Sequence, residues 1–97
     1  MKLDDICKEV DKLAKAKGWY GKSSSKPQTG RNLAISLALE AAELLECFQW
    51  GESADRSSVE DELADIIIFA AQLSNVLNID LGTAISNKLK TDKHREW

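Results

Sequence analysis

Residues 38–52 read ALEAAELLECFQWGE, a run of leucine and alanine interrupted by Glu40, Glu43 and Glu46. Apolar residues recurring every three to four positions predict a helix. It begins at Asn32, lasts to about Phe48 and is closed by Gly51. At about 100° per residue, Leu33, Leu37, Ala41, Leu44 and Phe48 form one apolar stripe. Ile35 and Leu39 form a second sector on a different side. A helix apolar on two sides is packed on two sides, by neighbouring helices or by another subunit. Glu40 and Glu43 fall between the sectors, with Glu40 at the edge of the main stripe, so both are expected to face inward or into a cleft. Glu46 lies further round and reads as peripheral.

The same reasoning extends outward. Leu3 to Lys17 reads as a first helix, capped by Asp4 or Asp5, with Ile6, Val10 and Leu13 on one face and Gly18 as its stop. Residues 18–30, GWYGKSSSKPQTG, form a long Gly-, Ser- and Lys-rich loop, a length more often found at functional sites. Ser57 and Glu60 make an S-x-x-E capping box, which predicts a third helix from near Ser58 to about Leu77. Asn78 breaks that helix, and Asp80 caps a fourth through LGTAISNKLK. The expected architecture is all-α: one domain over residues 1–97, a four-helix antiparallel bundle that completes its core by oligomerisation.

Composition narrows the function classes. Of 97 residues, 43% are hydrophobic and 30% charged, a globular rather than a disordered balance. A net charge of −3 gives no electrostatic basis for binding a long nucleic acid, but leaves room for a small anion handled through a metal ion. Cys7 and Cys47 lack metal-ligand spacing and read as buried reduced thiols. The start MKLDDICKEV has acidic residues where a signal peptide would be apolar, and no apolar run is long enough to span a bilayer. A cytoplasmic protein without a membrane partner is the expectation.

On the third helix Val59, Leu63, Ile66, Phe69, Leu73 and Val76 form the main stripe. Glu62 lies within it and Asp65 on its edge, while Ile67, Ile68 and Ala71 cover much of the opposite side. An unpartnered carboxylate costs several kcal/mol to desolvate, comparable with the total stability of a small domain. Basic residues could neutralise such groups, but Arg31 and Arg56 stand only at the helix starts. A divalent cation is the remaining remedy. Residues three apart on a helix have Cβ atoms about 5–6 Å apart, so E-x-x-E and E-x-x-D on facing helices offer four hard oxygen donors suited to Mg²⁺, or Mn²⁺ in its place. No histidine accompanies them, against the Glu-x-x-His pattern of di-iron bundles. Either motif alone carries little, since exposed helices contain both; their combination on two apolar helices points to metal-assisted phosphate hydrolysis.

SLALEAAELLECFQW followed by VEDELADIIIFAAQLSNVLNIDLGTAISNKLK resembles the MazG-like branch of the all-α NTP pyrophosphohydrolases, over about residues 31–92. The resemblance implies that Glu40, Glu43, Glu62 and Asp65 bind Mg²⁺. It also implies an enzyme that cleaves a nucleoside triphosphate between the α and β phosphates, as a dimer or a dimer of dimers. One carboxylate would accept the proton of the attacking water, Glu40 ahead of Glu43. Lys88 is a phosphate contact by the same resemblance, and Trp50 offers a flat face on which a base could stack; an ordinary surface lysine and an interface aromatic are the plainer readings of these two.

Departures from the family fall near the base and phosphates. Pro27-Gln28-Thr29-Gly30 stands before Arg31-Asn32-Leu33, where many members carry an aromatic-His-x-Pro. Asp92 replaces the usual Asn, and Glu96-Trp97 replace Tyr-Pro. Arg31 and Asp92 therefore join Trp50 and Lys88 as candidate substrate contacts, while His94 reads as solvated. The expected function is house-cleaning hydrolysis of deoxynucleotides or non-canonical nucleotides. The alternatives are a non-catalytic helical dimer that binds nucleotides or a protein partner, and a dUTPase or phosphoribosyl-ATP pyrophosphatase.

Overall fold

Four helices, α1 Leu3–Ala16, α2 Gly30–Glu46, α3 Arg56–Val76 and α4 Leu81–Asp92, make up the structure, a computed structural model that describes residues 1–19, 24–25 and 27–95. There is no strand among the described residues. The loop expected over residues 18–30 lies partly outside the described residues, as do Glu96 and Trp97.

The helix ends follow capping chemistry. α1 starts at Leu3 as expected, but its cap is Lys2, two to three residues before the expected Asp4 or Asp5; Asp5 instead reaches back to the Lys2 amide at 3.4 Å. Gly18, at φ 69°, ends α1, and Trp19 N–H returns to the Ala14 carbonyl at 3.0 Å. α2 starts two residues before the expected Asn32 because the Thr29 hydroxyl accepts from the Asn32 amide at 3.2 Å, and it gives way to turns after Glu46. α3 begins at Arg56 rather than near Ser58. Asp55 is its cap, accepting from both the amide and the hydroxyl of Ser58, so Ser57 lies inside the helix and the expected S-x-x-E box is not the cap. At the far end Asn78 takes the left-handed conformation, φ 55°, and Ile79 N–H bonds the Ser74 carbonyl at 2.8 Å. Asp80 caps α4 by accepting from Thr83 N–H, as read from the sequence.

α2 and α3 pack along most of their length. They run antiparallel: the backbone at Gly30, the start of α2, lies against Leu73 and Leu77 at the end of α3. α1 packs on α3, and the Asn75 side chain ties the two by donating to the Cys7 carbonyl at 2.9 Å. α4 leaves α3 through a 107° bend and touches mainly α1.

The core of this single chain is thin. Among the described residues the buried apolar ones are Val10, Ala14, Leu33 and Ala71, with Gln72 and Ser74 buried as well. Ala71 sits in this core, whereas Ile67 and Ile68 on the same side of α3 are exposed. The second sector of α2 is open as well, with Ile35 44% and Leu39 60% exposed. The radius of gyration is 15.4 Å, against about 13 Å for a compact chain of this length. Both cysteines are free but only half-buried, a correction to the buried placement their composition suggested. Among the described residues, no single helix is long and apolar enough to cross a membrane.

Candidate functional site

The antiparallel α2–α3 pair brings the C-terminal half of α2 beside the N-terminal half of α3. Carboxylate oxygens of Glu40, Glu62 and Asp65 lie within 4.8 Å of one another. Glu40 and Glu62 are half-buried, and each has one oxygen, Oε2, out of reach of solvent and without a hydrogen-bond partner. Glu43 is exposed one turn along α2. It lines an open groove of about 400 Å³ with Glu46, Cys47, Asp55, Ser58 and Glu62. Thus three of the four expected ligands converge and the fourth borders them. Glu46, expected as a flank, faces the same acidic groove from the exposed side.

No basic side chain serves these groups among the described residues. The ion pairs there are Asp11–Lys15, Arg56–Glu60, Lys88–Asp92 and Asp92–Arg95. The electrostatic result is plain at Glu40. Its pKa is pushed up from 4.5 to about 7, first because the Glu62 carboxylate lies within hydrogen-bonding reach, then by burial and by the charges of Glu43 and Asp65. Glu62 is raised too: the contact with Glu40 lowers it, but burial and the neighbouring Glu43 and Asp65 outweigh that. Orphaned buried oxygens, a repelling trio and no counter-ion among the described residues are what a hard divalent cation would satisfy. The donor set therefore fits Mg²⁺.

A pH dependence follows. The folded protein holds the Glu40 proton more tightly than the unfolded chain does. The metal-free protein thus loses this contribution to stability as pH rises from about 4.5 toward 7. A cation must displace the same proton. Saturating Mg²⁺ is expected to raise the thermal midpoint more at pH about 8 than at pH about 5.5, and calorimetry at the two values checks it. An equal Mg²⁺ effect at both would mean the ion binds elsewhere.

The candidate substrate contacts are not gathered at the trio within one chain. Trp50, just past α2, is 93% exposed. Arg31 is exposed in the first turn of α2, the end remote from Glu40 by about 13 Å of helix. Lys88 and Asp92 pair with each other at 3.3 Å on α4, which packs on α1 rather than on the α2–α3 pair. One residue that sequence reasoning named only as a departure carries an unsatisfied polar atom. Gln28 sits where the loop meets α2, with its Oε1 buried and unpartnered. A neutral loop side chain carries no periodic or charge signal by which it could have been singled out.

Residues 35–96 match the MazG-like family. The chain is 32% identical to dCTP pyrophosphatase 1 of Rattus norvegicus and 35% identical to that of Bos taurus, over 67% of this chain and 44% of each relative. It therefore spans less than half the length of the curated relatives it matches. Among solved structures it is similar to a pyrophosphatase from Archaeoglobus fulgidus, with a TM-score of 0.76 and 30% identity over 96% of this chain and 92% of that one.

Proposed function

The chain belongs to the MazG-like family, and from that premise and the carboxylate geometry we propose that it is a Mg²⁺-dependent nucleoside triphosphate pyrophosphohydrolase. Its reaction is (d)NTP and water to (d)NMP and pyrophosphate, with deoxynucleotides or non-canonical nucleotides as the house-cleaning substrates. The single observation that carries this reading is the convergence of Glu40, Glu62 and Asp65, two of them with orphaned oxygens. The similarity to proteins named dCTP pyrophosphatase and pyrophosphatase supports the reaction class.

Glu40, Glu62 and Asp65 would hold Mg²⁺, with Glu43 completing the set from the exposed side. When bound, the ion supplies neutralising charge for the triphosphate and polarises its phosphorus–oxygen bonds. The chain's own work is positional and acid–base. α2 and α3 hold the carboxylates at fixed spacing. Glu40, or Glu43 one turn away, accepts the proton of the water that attacks the α phosphorus.

The whole of residues 1–97 acts as one domain in a cytoplasmic homodimer or homotetramer. The exposed sectors of α2, α3 and α4 support that assembly. Lys88, Asp92 and Arg31, set on other elements or at the far end of α2, and the exposed Trp50 would contact substrate at the site of another copy. A panel of canonical NTPs and dNTPs, read out as pyrophosphate, tests the activity. Mg²⁺-dependent release from at least one is expected. Nucleotide binding without any turnover would instead favour a non-catalytic helical dimer.

A further inference from the structure

The carboxylate trio lies wholly on α2 and α3, whereas Lys88 and Asp92 stand on α4, and the two halves are held by different contacts. α4 has no fully buried residue and touches mainly α1. Its direction is therefore set where the end of α3, the first half of α1 and the start of α4 meet.

On the α3 side, Ile79 N–H closes on the Ser74 carbonyl and Asn78 turns the chain aside at φ 55°. On the α1 side, Asp4 Oδ1 lies 3.1 Å from the place that a Cβ on Gly82 would take, so α1 meets the first turn of α4 closely. Asn75 joins the two sides. It sits in the last turn of α3, half-buried, and its Nδ2 donates to the Cys7 carbonyl of α1 at 2.9 Å, across 68 positions of sequence. It also borders both openings between these helices, one of about 530 Å³ beside Asp11 and Lys15 and one of about 340 Å³ beside Asp4 and Asp80. Where the described residues leave space on either side, shape alone does not fix how α1 tilts on α3. A directed hydrogen bond to one carbonyl does, and its loss leaves a half-buried polar group unpaired.

We infer that Asn75 is a positioning residue for the substrate. Through the Cys7 carbonyl it fixes α1 on α3, and through α1 it fixes the stance of α4, whose Lys88 and Asp92 contact substrate at the site of another copy. The carboxylates of α2 and α3 do not depend on it. This inference rests on the proposed pyrophosphohydrolase reading and adds to it how the α4 contacts are held. A small tilt at the corner displaces Lys88, about two turns along α4, and misplacement of a binding group weakens binding without touching the reacting centre.

The test uses the best triphosphate of the panel. Asn75→Asp keeps the size of the side chain but turns an oxygen, not an N–H, toward the Cys7 carbonyl. It is expected to raise KM about fivefold or more, with kcat within about twofold of wild type. Mg²⁺ affinity of the nucleotide-free protein, by calorimetry, should stay within about twofold. Asn75→Leu, neutral and of similar size, should do the same, which separates loss of the donor from added charge and carries the test if the aspartate variant does not fold. In a Lys88→Ala background, itself raised in KM, either change should add nothing further, because the contact it positions is gone. A merely structural role would lower the thermal midpoint and the active fraction, hence kcat, and leave KM alone. An unchanged KM, an effect that persists undiminished in Lys88→Ala, no KM effect of Lys88→Ala itself, or a parallel loss of Mg²⁺ affinity would overturn the inference while leaving the hydrolase intact. Hydrolysis of no triphosphate at all would overturn both.

Discussion

Glu62→Ala is expected to lower kcat/KM by about 10³-fold or more while leaving the metal-free protein as stable as the wild type, or more stable, at pH about 8. The two effects have opposite signs for one reason. Glu62 is the only one of the trio set within the apolar stripe of α3, half-buried, with an oxygen that nothing among the described residues satisfies. Without a cation, at pH about 8, its charge repels Glu40, Glu43 and Asp65, and its contact with Glu40 is the first cause that raises Glu40 to about 7. Removing Glu62 relieves that repulsion but also removes a donor without which the site cannot hold the ion. Sites that trade stability for function behave in this way. Activity against the wild type's best substrate and thermal melting in chelator measure the two halves. Glu46→Ala, on the exposed rim, should stay within a few-fold of wild-type activity. A destabilised Glu62→Ala that kept its turnover would mean that Glu62 is structural.

The second large effect concerns assembly. Leu39→Asp is expected to lower the thermal midpoint by about 10 °C or more and to shift the protein from dimer or tetramer toward monomer. Leu39 stands one turn from Ile35 on a side of α2 left exposed by the described residues, and Ile67 and Ile68 are open on α3. Only four apolar residues are buried among those described, so the single chain hides little apolar surface. In the proposed assembly the remaining burial comes from another copy, so a charge placed there would act on the whole fold. Light scattering with melting curves at two protein concentrations gives the answer. A wild type that is monomeric at micromolar concentration, with a midpoint independent of concentration, would contradict this.

Much of the fold was legible because helix punctuation is local. Gly18, Asn78 and Asp80 each act through their own backbone geometry or a side chain reaching three residues on, and each stands where the sequence placed it. The starts of α2 and α3 were misplaced by about two residues where several capping residues stand close together. Asp55, Ser57 and Ser58 are all good caps, and only the geometry shows Asp55 accepting from Ser58. The site was legible because charged groups on apolar helices demand compensation. The distinction between Glu40, in the trio, and Glu43, outside it, was not, because it depends on how two helices are rotated against each other. Gln28 was invisible for a different reason: what marks it is an unpaired atom, which no spacing encodes.

The most direct test of the central claim is to follow hydrolysis in ¹⁸O-labelled water, with Mg²⁺ and with chelator, using the best substrate of the panel. Attack on the α phosphorus beside Glu40, Glu62 and Asp65 predicts label in the nucleoside monophosphate, unlabelled pyrophosphate, and no turnover in chelator. Label in pyrophosphate or orthophosphate, or turnover that survives removal of divalent metal, would contradict it.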